Sequence, residues 1–151
     1  RYNTYPRHIT MVKYDHVQQL RQKALMGDLD AQCDLAETYD EGRPRNLKKA
    51  FYWYNIAAER GNHHALNNLA YLYEHGRGIS KNRKKAMYYY KKASNKGNVI
   101  ATANLGVLMY EDRKYRRAKM YLEQALASGD EECKVYLQYI KNEDQKKKHG
   151  V

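Results

Sequence analysis

A basic and aromatic segment, KNRKKAMYYYKKASNKG at residues 81–97, carries the clearest chemical pattern in this sequence. It contains seven Lys or Arg residues, no acidic residue and three consecutive tyrosines. Cations neutralise phosphates and aromatic rings stack on bases, so this composition is typical of a groove for single-stranded nucleic acid. The whole chain has a net charge of +11, which favours acidic partners of any kind. The segment therefore predicts nucleic-acid binding only if its rings are exposed.

The residues that could bind a metal ion or act as nucleophiles are few and scattered. His63 and His64 are adjacent, so on a helix their side chains would point about 100° apart, and no cysteine or carboxylate follows at a ligand spacing. Cys33 and Cys133 are too few for a disulfide scaffold. No Ser/His/Asp, Cys/His or carboxylate pair falls in one predicted cleft. We therefore predict that the chain is not an enzyme and uses no cofactor or metal ion.

The sequence repeats itself with a period of 32 to 36 residues. Gly27, Gly61, Gly97 and Gly129 mark the period, and a leucine follows each of them eight residues later, at positions 35, 69, 105 and 137. Each unit contains two apolar stripes at helical spacing, separated by a turn. One helical hairpin cannot bury its own apolar faces, whereas a stack of three can. The sequence therefore predicts an all-α stack of helix-turn-helix units.

These units resemble SEL-1-like repeats, which are relatives of the tetratricopeptide repeat. The second unit matches the first half of the family pattern at Ala65, Leu69, Tyr73, Gly76, Gly78 and Ile79. The first unit matches the second half at Lys49, Ala50, Trp53, Tyr54, Ala57, Ala58 and Gly61. The resemblance implies a right-handed α/α superhelix and a non-catalytic adaptor or scaffold that binds proteins. For some small bacterial members it also implies an immunity or regulatory role toward a toxin or effector.

The repeats define the expected domain organisation. We expect one solenoid over residues 14–140, after an extended N-terminal segment at 1–13 and before a charged tail at 141–151. The solenoid would contain a helix at 14–26, three repeats at about 31–61, 65–97 and 101–129, and a final helix at 131–140. The turns inside the first and third units are shorter than the glycine turn of the second, so we expect them to be tight.

The resemblance places the first helix of each unit on the concave side, where solenoids of this kind usually bind peptides. The residues that the apolar stripes leave free on these helices form a predicted partner site. They are Asp34, Glu37, Glu41, Asn67, Asn68, Tyr71, His75, Asn104, Val107 and Glu111. Asn68 and Asn104 would either hydrogen-bond an extended peptide or bridge the helices to one another. Because Asp28, Asp30 and Asp40 add to the first unit, we expect a cationic partner segment at that end.

The second helices would line the convex side. Alignment with Trp53 and Tyr54 places Tyr89 and Tyr90 in the packing between helices and leaves only Tyr88 exposed. The cations of the second unit lie between these packing positions and form a basic convex patch, namely Arg83, Lys84, Lys85, Lys91 and Lys92. This patch is either a solvated face or a site for an acidic partner, such as an acidic toxin or effector. Nucleic-acid binding through this patch is the alternative function.

Signals for membranes or export are absent from the sequence itself. No window reaches the ~20 apolar residues of a membrane span, so we expect no membrane insertion. The chain opens RYNTYPRHIT, without the apolar stretch of a signal peptide and without an initiator Met, so a removed leader stays open. Cys33 and Cys133 would lie three repeats apart, well beyond the ~7 Å limit of a disulfide. Two free thiols favour a reducing, cytoplasmic location, while the oligomeric state is left open.

Overall fold

Eight α-helices make up most of the described chain. The structure, a computed structural model, describes residues 7–42 and 44–150, with side chains from residue 14 onward. The helices are α1 (Arg7–Leu25), α2 (Leu29–Glu41), α3 (Leu47–Glu59), α4 (His63–His75), α5 (Arg83–Asn95), α6 (Val99–Glu111), α7 (Tyr115–Ala127) and α8 (Cys133–Lys148). No strand occurs among the described residues, and the predicted all-α class is confirmed.

Consecutive helices pack into hairpins that stack along the chain. The pairs α2–α3, α4–α5 and α6–α7 form the three repeats, α1 packs on α2, and α8 packs on α7 and α6. Successive repeats are joined by packing of α3 on α4 and of α5 on α6. Such nearest-neighbour stacking is the pattern of a repeat solenoid. The predicted arrangement of three helical hairpins with an extra helix at each end is confirmed.

A glycine followed by Asn or Asp forms the joint before each of α2, α4 and α6. The three glycines have φ between 85° and 89°, the left-handed conformation that ends a helix and that lacks a steric penalty only for glycine. The next residue caps the following helix, since the side chains of Asp28, Asn62 and Asn98 accept hydrogen bonds of 2.8–2.9 Å from the backbone N–H three residues later. Local sequence therefore determines where these helices begin.

The core alternates small and large side chains between the helices. The repeated alanines and leucines of the three units are fully buried, and so is Tyr90. The Tyr90 hydroxyl donates a hydrogen bond of 2.7 Å to Glu74, which satisfies its polar end. Gly106 lets α6 approach α7 closely, because a Cβ at this position would lie 2.8 Å from Cγ of Leu122. The helices are thus held at distances set by the small residues of the repeat.

The tyrosine run on α5 is divided between core and surface, as predicted. Tyr90 is buried, Tyr89 is half-buried and stacks on Tyr73 at 5.7 Å between ring centres, and Tyr88 is 57% exposed. Trp53 and Tyr54 occupy the matching buried positions on α3. The packing interpretation of Tyr89 and Tyr90 is therefore confirmed.

Both ends of the chain contain more helix than the sequence-based boundaries allowed. Residues 7–13, predicted to be extended, belong to α1, while residues 1–6 of that segment lie outside the described residues. No Pro or Gly interrupts the sequence from 7 to 25, so nothing local stops the helix. The charged tail is helical as far as Lys148, since Glu143 pairs with Lys146 at 2.8 Å and the last-turn lysines complement the negative end of the helix dipole. α8 also begins later than predicted, at Cys133.

Candidate protein-interaction surface

The charges of this chain are separated by helix type. The first helices of the repeats, α2, α4 and α6, contain no Lys or Arg at all. Their acidic residues are Asp30, Asp34, Glu37, Asp40, Glu41, Glu74 and Glu111. The second helices, α3, α5 and α7, carry ten Lys or Arg and only two acidic residues. We call the side formed by α2, α4 and α6 the first-helix surface; it is acidic although the chain as a whole is strongly basic.

Hydrogen bonds between side chains join the three first helices to one another. Asn104 on α6 donates to Asn67 on α4 at 3.4 Å, Asn67 donates to Asn68 at 3.4 Å, and Asn68 donates to Glu37 on α2 at 3.2 Å. Asn67 is only 9% exposed and its amide is bonded to Asn68 and Asn104, so it is not the accessible partner contact that was predicted. Of the two interpretations left open for Asn68 and Asn104, the structure shows the one in which they bridge helices.

The acidic end of the first-helix surface is formed by α2. Asp34 and Glu41 are exposed and Glu37 is half-buried between them. Together with His16 and Leu20 of α1, these residues line a cavity of about 290 Å³. Burial, followed by the neighbouring charges of Asp34 and Glu41, raises the pKa of Glu37. A cation placed in this cavity would relieve that repulsion.

The centre of the first-helix surface presents an aromatic side chain. Tyr71 is 40% exposed, its ring lies 4.2 Å from the ring of exposed His75, and the Arg77 guanidinium lies 5.7 Å from its centre. Arg77 also pairs with Asp40 at 2.7 Å, which ties the turn after α4 to the end of α2. A cavity of about 340 Å³ opens here between α2 and α4. Tyr71 and His75 are thus accessible, as predicted from their sequence positions.

A cavity of about 700 Å³ forms a groove between α6 and α8. Its apolar wall is formed by Val99, Ile100, Ala103, Val107 and Tyr136, and Asp130, Glu131 and Glu132 stand at one end. Asn104 and Val107 of the predicted concave-face site line this groove, and so do Ile100 and Tyr136, which were not predicted as site residues. Ile100 is 61% exposed at the position that Asp30 and His64 occupy in the other repeats. The repeat alignment therefore contained a signal for this groove, since Ile100 is an apolar residue at an outward position that is polar in the other repeats.

Two residues predicted for opposite sides of the molecule are paired with each other. Arg83, expected in the basic convex patch, lies 3.0 Å from Glu111, expected in the partner site, and 2.8 Å from Asp112. It also donates to the carbonyl of Leu108 at 2.9 Å. Because α6 packs back along α5 after a three-residue joint, the end of α6 lies beside the start of α5 and these charges neutralise each other. Neither Arg83 nor Glu111 is a free binding residue.

The other four members of the basic convex patch, Lys84, Lys85, Lys91 and Lys92, are exposed. The two thiols are buried and unpaired: Cys33 Sγ on α2 lies 4.0 Å from Glu37 Oε1, and Cys133 on α8 lines the groove between α6 and α8. Burial raises the pKa of Cys33 to about 12 and that of Cys133 to about 11, so both stay protonated at neutral pH.

Among the described residues, no three His, Cys, Asp or Glu side chains form a group able to hold a metal ion. No described helix is long and apolar enough to cross a membrane.

A family model for the Sel1 repeat matches the chain three times, at residues 29–62, 63–98 and 99–130. These matches cover most of the chain and coincide with the three helical hairpins. The chain belongs to the Sel1 repeat family. Proteins of this family generally act as protein-interaction modules and are typically non-catalytic scaffolds.

Solved structures with the same fold support this assignment. The Sel1 chain is similar to c5321, a protective antigen present in uropathogenic Escherichia coli strains that displays an SLR fold. The two chains are 30% identical with a TM-score of 0.72, and the match covers 78% of this chain but only 26% of that one. It is also similar to a Sel1 repeat protein from Oxalobacter formigenes, at 30% identity and a TM-score of 0.68, covering 82% of this chain and 97% of that one. A search of curated proteins finds no significant match.

Proposed function

We propose that this Sel1 chain is a non-catalytic protein-interaction module whose first-helix surface binds an extended, basic segment of a partner protein. The observation that carries the proposal is the absence of Lys and Arg from α2, α4 and α6 in a chain with a net charge of +11. Opposite charges across an interface steer encounter and exclude wrong partners. An acidic surface on a basic protein is therefore selective for basic segments.

The surface offers three kinds of contact along its length. At the α2 end, Asp34 and Glu41 are exposed carboxylates for Lys or Arg side chains of the partner. At the centre, Tyr71 supplies a large amphipathic ring of the type enriched in binding hot spots. At the α8 end, the groove beside Ile100 and Tyr136 can enclose an apolar side chain, worth about 1.5–3 kcal/mol on full burial. The amide bridges between helices hold these sites at fixed distances.

The sign of this surface also bears on the proposed toxin or effector partner. An acidic effector would be repelled by the first-helix surface, and only the basic side of the molecule has the charge to receive it. If the chain is an immunity or regulatory protein that uses the first-helix surface, that surface would cover a basic patch of the effector. A cytoplasmic location stays a hypothesis, supported by the two unpaired thiols.

A capture experiment with charge-matched variants tests the proposal. Asp34→Lys/Glu41→Lys changes the α2 end of the first-helix surface, and Glu59→Lys/Glu123→Lys makes the same change in net charge on exposed sites of α3 and α7. Partners captured from the native source by the wild type should be lost with the first variant and kept with the second. Tyr71→Ala and Ile100→Asp should weaken the same capture. Circular dichroism checks that the helical content is unchanged. Equal capture by both charge variants would show that the first-helix surface is not the binding site.

A further inference from the structure

The exposed side of the second helices carries a pattern that protein binding through the first-helix surface does not use. Each second helix begins with two adjacent cations in its first turn and exposes one large side chain three positions after them. We call this set the second-helix ladder: Lys48, Lys49 and Tyr52 on α3; Lys84, Lys85 and Tyr88 on α5; Arg116, Arg117 and Met120 on α7. Tyr52, Tyr88 and Met120 are 58%, 57% and 53% exposed and lie one repeat apart.

Helix stability does not explain these cations. The first turn of a helix is the positive end of its dipole, where acidic residues stabilise and each cation costs about 0.3–1 kcal/mol at an exposed site. None of α3, α5 and α7 has an acidic residue in its first turn. In the part of the chain that the structure describes, no ion pair involves any cation of the ladder. Lys49 Nζ and Lys85 Nζ lie over the rings of Tyr39 and Tyr73, at 5.2 Å and 5.1 Å from the ring centres, so within the described structure the charge of this face contacts aromatic rings but is not neutralised by ion pairs.

The two exposed tyrosines are held in place by aromatic neighbours. Tyr52 contacts buried Trp53 edge-to-face, at 5.3 Å between ring centres and 82° between planes. Tyr88 contacts Tyr89 in the same way, at 5.1 Å and 77°. Such a contact occupies at most one face of a ring. Lys92 Nζ lies over the Tyr88 ring, 5.2 Å from its centre, so a base would stack on the opposite face of this ring or displace the Lys92 side chain.

We propose that the second-helix ladder binds single-stranded nucleic acid, with its cations on the phosphates and Tyr52 and Tyr88 stacked on unpaired bases. The regular charge of a phosphate backbone matches cations that recur with every repeat. Aromatic ring faces stack on nucleic-acid bases of any sequence, and an acidic polypeptide has no bases to stack on them. On α7, Arg116 and Arg117 of the ladder line a cavity of about 530 Å³ beside Tyr115 and Asp144. This open, cationic and aromatic face suits a flexible single strand.

Fluorescence anisotropy with labelled 20-nucleotide oligo(dT) and oligo(U) tests the inference, with a 20-base-pair duplex and polyglutamate as comparison ligands. We expect the single strands to bind more tightly than the duplex or polyglutamate. Lys84→Gln/Lys85→Gln should weaken binding and make its logarithmic salt dependence shallower by about 1.4, since each phosphate contact on a single strand contributes about 0.7. Tyr52→Ala/Tyr88→Ala should weaken binding by about 5- to 150-fold for each stacked base while leaving the salt dependence unchanged.

Matched controls separate the ladder from the charge of the chain. Lys141→Gln/Lys148→Gln and Tyr139→Ala change exposed residues of α8 and should leave oligonucleotide affinity within about twofold of wild type. Single-strand binding that is absent, or that the two tyrosine substitutions leave unchanged, would overturn the inference. So would polyglutamate binding as tightly as oligo(dT), because the ladder would then be a surface for acidic proteins. The Asp34→Lys/Glu41→Lys variant should still bind oligonucleotides, so this test and that of the first-helix surface fail independently.

Discussion

The hydrogen bonds of Asn98 predict how strongly the joint between the second and third repeats is held. Asn98 is 5% exposed, and its Oδ1 accepts a hydrogen bond of 2.8 Å from the Ala101 N–H. Its Nδ2 donates to the His63 carbonyl at 3.2 Å and lies 3.1 Å from the His63 ring Nδ1. Replacing Asn98 with Ala removes a helix cap, worth about 1 kcal/mol, and the bonds to His63, worth about 0.5–1.5 kcal/mol. We expect Asn98→Ala to lower the free energy of unfolding by about 1.5–2.5 kcal/mol.

Asn62→Ala is the matched control for this substitution. Asn62 caps α4 through the same geometry, accepting from the Ala65 N–H at 2.9 Å, but it is only half-buried and, among the described residues, its side chain makes no comparable link to another repeat. We expect Asn62→Ala to cost about 1 kcal/mol. Urea and thermal denaturation, followed by circular dichroism at neutral pH, measure both variants, and each kcal/mol should lower Tm by roughly 2–4 °C. Equal losses in the two variants would show that the bonds to His63 contribute nothing.

The same joint should make stability depend on pH. Burial, then the charges of His64 and Lys96, lower the pKa of His63 below its ordinary value. The unfolded chain therefore binds more protons than the folded chain at pH values below the ordinary histidine pKa, and stability should fall as the pH decreases through that range. Asn98→Asp keeps the cap but places a carboxylate beside the ring, which favours the protonated form. The difference in unfolding free energy between wild type and Asn98→Asp should therefore be smaller at pH 5.5 than at pH 7.5. An equal difference at the two pH values would refute this account.

Two further substitutions test particular contacts of the fold. Glu37→Gln keeps the hydrogen-bond acceptor for Asn68 and removes a carboxylate whose pKa is raised by burial and by the charges of Asp34 and Glu41. The substitution should therefore stabilise the chain at pH 7 and give no advantage near pH 4, where Glu37 itself is protonated. Urea midpoints at the two pH values measure this effect, and a loss of stability at pH 7 would contradict it. Gly106→Ala places a Cβ 2.8 Å from Leu122 Cγ and 3.2 Å from the Leu122 backbone nitrogen. We expect it to lower the free energy of unfolding by about 1–3 kcal/mol, despite the better helix propensity of alanine. An unchanged thermal midpoint would show that α6 and α7 can separate freely.

The repeat architecture followed from local and periodic features of the sequence. The glycine and the Asn or Asp after it define the joints, since only a few residue types take a left-handed φ or cap a helix, and both properties act within four residues. The division of the tyrosine run followed from the same period, because Tyr89 and Tyr90 align with Trp53 and Tyr54. The start of α1 and the extent of α8 were less predictable, since no Pro or Gly lies within residues 7–25 or 133–148 to limit either helix.

The candidate surfaces were only partly predictable. The asparagines of the first helices were correctly placed on those helices, but their bonds to one another and to Glu37 depend on how far apart neighbouring repeats lie. Arg83 and Glu111 were assigned to opposite sides, and they meet because α6 packs against α5 of the preceding repeat. The groove beside Ile100 exists only where α8 packs against α6 and α7, an arrangement that no stretch of sequence shows by itself.

The sequence by itself determined that this protein is a stack of Sel1 repeats with one class of helix basic and the other acidic. Those properties reside in residue type and period, which act over one helical turn or one repeat. The tertiary structure alone decided which of these charges are free, which amides are already used and where an apolar groove opens. Each of those depends on distances of a few ångströms between side chains that lie about 30 residues apart in the chain, and packing sets them only once all the repeats are assembled.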